Sequence, residues 1–125
     1  MTPDTIQIDV KVQHLPQQSK PDKQQFAFAY QITLTNNGDR SVQLISRHWI
    51  ITDATEDRQE VKGLGVIGEQ PHIAPGESYQ YTSGAVLNTD TGTMEGSYHM
   101  ICDDGFTTFD VPIPLFLLAV PGAVH

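Results

Sequence analysis

The chain is predicted to be all-β: an immunoglobulin-like, fibronectin type III-like β-sandwich of seven to eight strands. Three observations carry this. Apolar and polar residues alternate along most of the sequence, and no window shows the stripe of an amphipathic helix. Turn signals recur roughly every 8–12 residues, the spacing of sandwich strands. The single tryptophan, Trp49, lies on the third strand, where such a fold places its core anchor, while the lone cysteine forbids an internal disulfide and points away from an antibody-type domain.

The elements follow in order. Ile6, Ile8, Val10 and Val12 alternate with polar neighbours to give a half-buried first strand. A polar, Pro-containing link from Pro16 to Gln25 precedes Phe26, Phe28, Tyr30, Ile32 and Leu34, the apolar face of a second strand that ends at the turn Asn36-Asn-Gly-Asp39. The third strand runs from about Val42 to Asp53, with Arg47, Trp49 and Ile51 on one face and His48, Ile50 and Thr52 on the other. A charged turn at Glu56–Arg58 and a short strand, Glu60-Val-Lys62, lead to a glycine-rich loop.

Ala74-Pro-Gly-Glu77 suits a type II turn, because proline presets the first central angle and glycine accepts a positive φ at the second. Tyr79, Tyr81 and Ser83 then share one face of a strand. A loop from Leu87 to Thr93 follows. Tyr98, Met100 and Cys102 face inward on the next strand, where Tyr98, two residues after Gly96, resembles a tyrosine corner. Asp103-Asp-Gly105 is a hairpin turn. On the last strand Phe109, Val111, Ile113, Leu115 and Leu117 are expected on one face, with Pro112, Pro114 and Phe116 on the other. Two prolines require an edge or bulged strand.

A chain of 125 residues is expected to form one domain, residues 1–125, with a core that needs no metal or disulfide staple. Met1-Thr-Pro-Asp4 has neither a basic nor an apolar region, so no secretory leader is expected. The longest apolar run, Leu115–Val120, is far short of the ~20 residues that span a bilayer. With one cysteine, a cytoplasmic location is predicted. Net charge is −8, and all seven Lys and Arg lie at or before Lys62, while seven acids and no base follow. Nucleic-acid binding is dominated by phosphate neutralisation, so neither nucleic acid nor an anionic membrane is an expected partner.

Gly63-Leu-Gly-Val-Ile-Gly68 matches the dinucleotide-binding pattern GxGxxG, but that chemistry needs a helix directly after the third glycine. Glu69-Gln-Pro-His-Ile-Ala-Pro-Gly76, with two prolines, cannot supply one. The glycines are therefore read as a loop between strands. Its backbone amides could form an anion nest, but Lys62 is the single nearby cation.

Arg47-His-Trp-x-Ile-Thr-Asp53, Lys62-Gly-x-Gly-Val-x-Gly-Glu-Gln-Pro71, Ala74-Pro-Gly-Glu77, Tyr81-x-Ser-Gly84, Leu87-x-Thr89, Gly92-x-Met-x-Gly-x-Tyr98 and Phe109-x-Val-x-Ile-Pro-x-Phe116 together resemble the ApaG family, from about Ile8 to Leu118. The resemblance implies a fibronectin type III-like sandwich, usually a free-standing bacterial cytoplasmic protein. It also implies a gene neighbourhood shared with a diadenosine tetraphosphatase and links to cobalt resistance and magnesium homeostasis. Related domains in F-box and polymerase-interacting proteins look like protein-binding modules. The family offers no catalytic residue to carry over.

For metal binding, five histidines, Cys102 and the pair Asp103–Asp104 are the candidates. His99 and Cys102 are three apart on a strand and face opposite ways, whereas a transition-metal site needs three or four converging ligands. Asp103 and Asp104 remain as weak hard-cation candidates. An inward Cys102 behaves as a small apolar group, and Ser83 and Ser97 have no defensible base. The apolar tail around Phe116, Leu118 and Val120 either pairs with another chain, giving a possible homodimer, or covers its own edge. The resulting expectation is a non-enzymatic module without cofactor. It recognises an unidentified protein partner through Gly63, Leu64, Gly65, Val66, Ile67 and Gly68, with polar contacts from His48 and Gln70. The alternative is a divalent-cation or anionic small-ligand sensor.

Overall fold

The computed structural model describes residues 5–123. Met1–Asp4, Val124 and His125 lie outside them. Eight strands build two antiparallel sheets: β1 (Ile6–His14), β2 (Phe26–Asn36), β3 (Val42–Asp53), β4 (Arg58–Leu64), β5 (His72–Ile73), β6 (Ser78–Leu87), β7 (Thr91–Cys102) and β8 (Thr108–Ala119). One sheet has the order β1-β2-β6; the other has β4-β3-β7-β8, with β5 paired to β3. This is the strand arrangement of a fibronectin type III-like sandwich. The Pro16–Gln25 link is not featureless: Pro16–Gln18 and Pro21–Lys23 form short 3-10 turns, each begun by a proline whose missing N–H is not needed there.

Alternation along β2 delivers Phe28, Tyr30, Ile32 and Leu34 to the core, and along β7 it delivers Met94, Tyr98, Met100 and Cys102. Between the sheets Trp49 is 2% exposed and meets Tyr30, Tyr98 and Phe116 edge-on at 5.4–6.3 Å. Ile45 is an extra residue on β3: Leu44 pairs with Met100 and Ser46 with His99. That bulge switches the strand's phase, so Val42 and Leu44 point inward before it and Trp49 points inward after it.

A second bulge corrects the expected faces of β8. Ile113 pairs with Gly96 and Phe116 with Met94, so Pro114 and Leu115 together oppose Glu95. One inserted residue sends every later side chain to the other face. Phe116 and Leu118 therefore pack into the core, whereas Leu115 and Leu117 stand outward at 58% and 48% exposure. Val120 also packs on the core, so the tail covers its own sandwich there. The two prolines do lie on an edge strand, with Pro114 at its bulge.

Tyr98 is not a tyrosine corner. β7 begins at Thr91, well before it, and the Tyr98 hydroxyl meets that of Tyr81 from the opposite sheet. Asn36 is the one buried polar side chain among the described residues. Its Nδ2 donates to the carbonyls of Arg40 and Ile73 at 2.8 and 2.9 Å, and its Oδ1 accepts from Gly38 N–H, which closes the β2–β3 connection.

Candidate functional site

The glycine loop is a tight hairpin, not a phosphate turn. Val66 and Glu69 exchange both backbone hydrogen bonds, at 2.8 and 2.9 Å, across a two-residue turn formed by Ile67 and Gly68. Both central residues have positive φ, 42° and 81°, as a type I′ turn requires. Glycine is natural at the second position. Isoleucine at the first is not, because a β-branched residue in the left-handed region is strained by about 1–3 kcal/mol. Gly65 is required on two counts: its φ is +62°, and a Cβ would lie 2.1 Å from the Glu69 carbonyl oxygen.

The hairpin is tied to the β3 bulge. The carbonyl of Ile45 accepts from Gly65 N–H and from Gln70 Nε2, each at 2.8 Å. Arg47 Nη1 donates to the Leu64 and Gly65 carbonyls at 3.1 and 2.8 Å. Its guanidinium also lies over Gly63, where any Cβ would collide with it. The amides of Gly65, Val66 and Glu69 are thus spent on backbone carbonyls, which leaves little of an anion nest.

The eight expected contact residues are therefore not equivalent. Leu64 is 74% exposed and Ile67 59%, both held outward by a rigid support. Val66 is fully buried in the core and is unavailable to a partner, because the hairpin folds its side chain beneath itself. Gln70 is also reassigned, since its amide pins the loop to Ile45. Gly63, Gly65 and Gly68 act through backbone geometry alone. His48 lies on the outer face of β3, half-buried, with Nε2 3.5 Å from the Glu60 carboxylate and without a hydrogen bond.

Beside Leu64, the outer face of the larger sheet carries a cleft of about 420 Å³. Ser46 and His48 from β3, Lys62 and Leu64 from β4, Ser97 and His99 from β7 and Asp110 from β8 line it. His99 Nδ1 meets Asp110 Oδ1 at 2.7 Å. The cleft was missed in sequence, although the Asp103–Gly105 turn fixes the pairing of His99 with Asp110. A serine, a histidine and an aspartate share this face, yet among the described residues no serine hydroxyl hydrogen-bonds His48 or His99. The nucleophile–base contact that acyl-transfer chemistry uses is absent from the arrangement.

Asp103 and Asp104 are turn builders. Asp103 pairs with Arg40 at 2.7 Å. Asp104 accepts from the backbone N–H groups of Phe106 and Thr107 and from the Thr107 hydroxyl. The Thr107 hydroxyl and amide bonds hold the Asp104 carboxyl at about 2, below its ordinary 3.8. Among the described residues no three His, Cys, Asp or Glu side chains converge as a metal site would need. No helix among them is long and apolar enough to cross a membrane.

A family model described as the ApaG domain matches residues 16–102. A protein of Pseudomonas paraeruginosa named Protein ApaG is 55% identical over 120 residues, covering 96% of this chain and 94% of its own. Another of that name, from Acidithiobacillus ferrooxidans, is 54% identical over 98% of this chain and 96% of its own. A crystal structure from Bordetella pertussis, described as an ApaA protein, superimposes with a TM-score of 0.90 at 51% identity, covering 94% of each chain.

Proposed function

The chain belongs to the ApaG domain family, and from the geometry of its hairpin we propose that it is a non-catalytic protein-recognition module working in the cytoplasm. The observation that carries this reading is Ile67. A strained, β-branched residue occupies a turn position that suits glycine or asparagine, and its side chain stands in solvent. Local strain of this kind collects at functional sites. Leu64 projects beside it from the same rigid support, so two aliphatic anchors are presented with little ordering entropy left to lose on binding. The cleft that holds His48 and Lys62 adjoins them, and an apolar centre with polar groups at its rim is how protein interfaces are built.

A photo-crosslinking residue at Ile67, compared with one at Leu115 on β8, tests this in cells. The reading expects one discrete adduct from Ile67 that is lost when Leu64 becomes Asp. An equal adduct pattern from both positions would overturn it. A parallel NMR titration with Mg²⁺, Co²⁺, ATP and a diadenosine polyphosphate covers the small-ligand alternative. Saturable shifts confined to the Gly63–Gly68 amides would transfer the function to a small ligand.

A further inference from the structure

The two sheets leave an opening that the hairpin surface does not use. β4 and β6 are the edge strands of different sheets, and between them lies a pocket of about 280 Å³. Trp49 and Met94 contribute to its floor, Gln59 and Val61 line it from β4, and Ser83 and Ala85 line it from β6. Arg47 and Tyr30 also line it.

Three features of this pocket agree. The indole N–H of Trp49 is shielded from solvent and has no hydrogen-bond partner, which is rare for a buried donor in a folded protein. The guanidinium of Arg47 donates to two backbone carbonyls, but among the described residues no carboxylate pairs with it. No Asp or Glu lines the pocket, although the chain carries a net charge of −8. An acidic protein has here gathered one cation and one orphan donor and kept its own acids away.

We propose that this pocket binds a carboxylate group borne on a short apolar body, received by the Arg47 guanidinium and by the Trp49 indole N–H, which the side chains over it must part to expose. The planar fork of arginine matches a carboxylate's two oxygens. One cation suits a monoanion, whereas a phosphate would call for more. Val61, Ala85 and Met94 give the apolar body its contacts. The volume falls just below that of ligand pockets for drug-sized molecules (roughly 300–1,000 Å³), right for a short free acid or the side chain of a glutamate in an extended peptide. This site shares Arg47 with the hairpin's support but is otherwise built from Trp49, Met94, β4 and β6, and it stands whether or not the hairpin surface recognises a protein.

The chain has one tryptophan, so its indole N–H gives a single assignable NMR resonance. Labelled protein is titrated with isovalerate and with neutral isovaleramide, and with a short peptide carrying a central Glu and its Gln counterpart. The expected result is a saturable downfield shift of the indole resonance with an acid and not with its amide. Free acid acting alone assigns the site to a small metabolite; peptide acting alone assigns it to a protein segment; either outcome supports the proposal. Arg47→Met and Ser83→Leu should each abolish the shift. Ser83→Leu fills the pocket from β6 and leaves the hairpin's ties intact, so it stays informative if Arg47→Met loosens the loop. An indole resonance unmoved by either acid at tens of millimolar, one moved equally by the amides, or one still shifting in folded Ser83→Leu would overturn it.

Discussion

The hydroxyls of Tyr81 and Tyr98 meet at 2.5 Å in the interior, one from each sheet, and each is the other's hydrogen-bond partner. The contact clasps β6 to β7 at a depth where water cannot substitute. Replacing Tyr98 by Phe leaves a buried hydroxyl unsatisfied and should cost about 1–3 kcal/mol. Tyr81→Phe should do the same, and the double variant should cost less than the sum. Urea unfolding of all four proteins measures the coupling; strictly additive losses would show that the two hydroxyls act independently.

Burial raises the ionisation of both tyrosines well above the ordinary 10.0. For an acid whose folded value is raised, stability is fully present below the unfolded value and is lost as pH climbs past it. Stability should therefore fall above pH 10.0, and less steeply in the double Phe variant. Thermal melts across that range test it.

At the other end of the scale, the Thr107 bonds that depress Asp104 favour its ionised form in the folded state. A depressed carboxylate contributes stability above its unfolded value that is lost as pH falls through the folded one. In the folded protein the Phe106 and Thr107 amide resonances should therefore titrate with a midpoint at about 2, below the ordinary 3.8. Asp104→Asn should remove that titration.

Ile67→Asn should stabilise the free protein by about 1 kcal/mol, because asparagine tolerates the left-handed conformation that isoleucine resists. Gly65→Val should do the reverse, by about 3 kcal/mol, since its side chain would meet the Glu69 carbonyl. Chemical denaturation reads both. The first variant is also expected to weaken partner capture while improving stability, a pairing that a purely structural role for Ile67 would not produce.

The β8 bulge makes a sharp contrast between neighbours. Phe116→Ala should destabilise by roughly 2–4 kcal/mol, while Leu115→Ala, one residue earlier and facing solvent, should stay within about 0.5 kcal/mol. Equal effects would place the bulge elsewhere.

Much of the fold was legible in sequence because β-strands advertise themselves every second residue. The inward faces of β2 and β7 follow directly from Phe26–Leu34 and Tyr98–Cys102, and the turns at Asn36–Asp39, Ala74–Glu77 and Asp103–Gly105 from residues that favour particular backbone angles. The glycine pattern was likewise rightly read as an inter-strand loop, since prolines exclude the helix a nucleotide turn needs. The candidate site was legible only in part. Leu64 and Ile67 do stand outward, but Val66 turns under the hairpin and Gln70 is bound to Ile45.

The sequence by itself determined the sandwich, seven of its strands and its core anchor, because alternation and turn chemistry are local properties; the two-residue β5 is too short to show either. Tertiary structure alone decided which way side chains face beyond a bulge. A bulge's register is set by the partner strand: the prolines at 112 and 114 allow an edge or a bulge, but they do not say that Pro114 and Leu115 will share Glu95, and that single insertion exchanges Phe116 with Leu115. The same holds for groups that meet across the sheets. Tyr81 with Tyr98, Arg47 with the Leu64 and Gly65 carbonyls, and Trp49 facing the gap between β4 and β6 are placed by strand order, which no local pattern encodes.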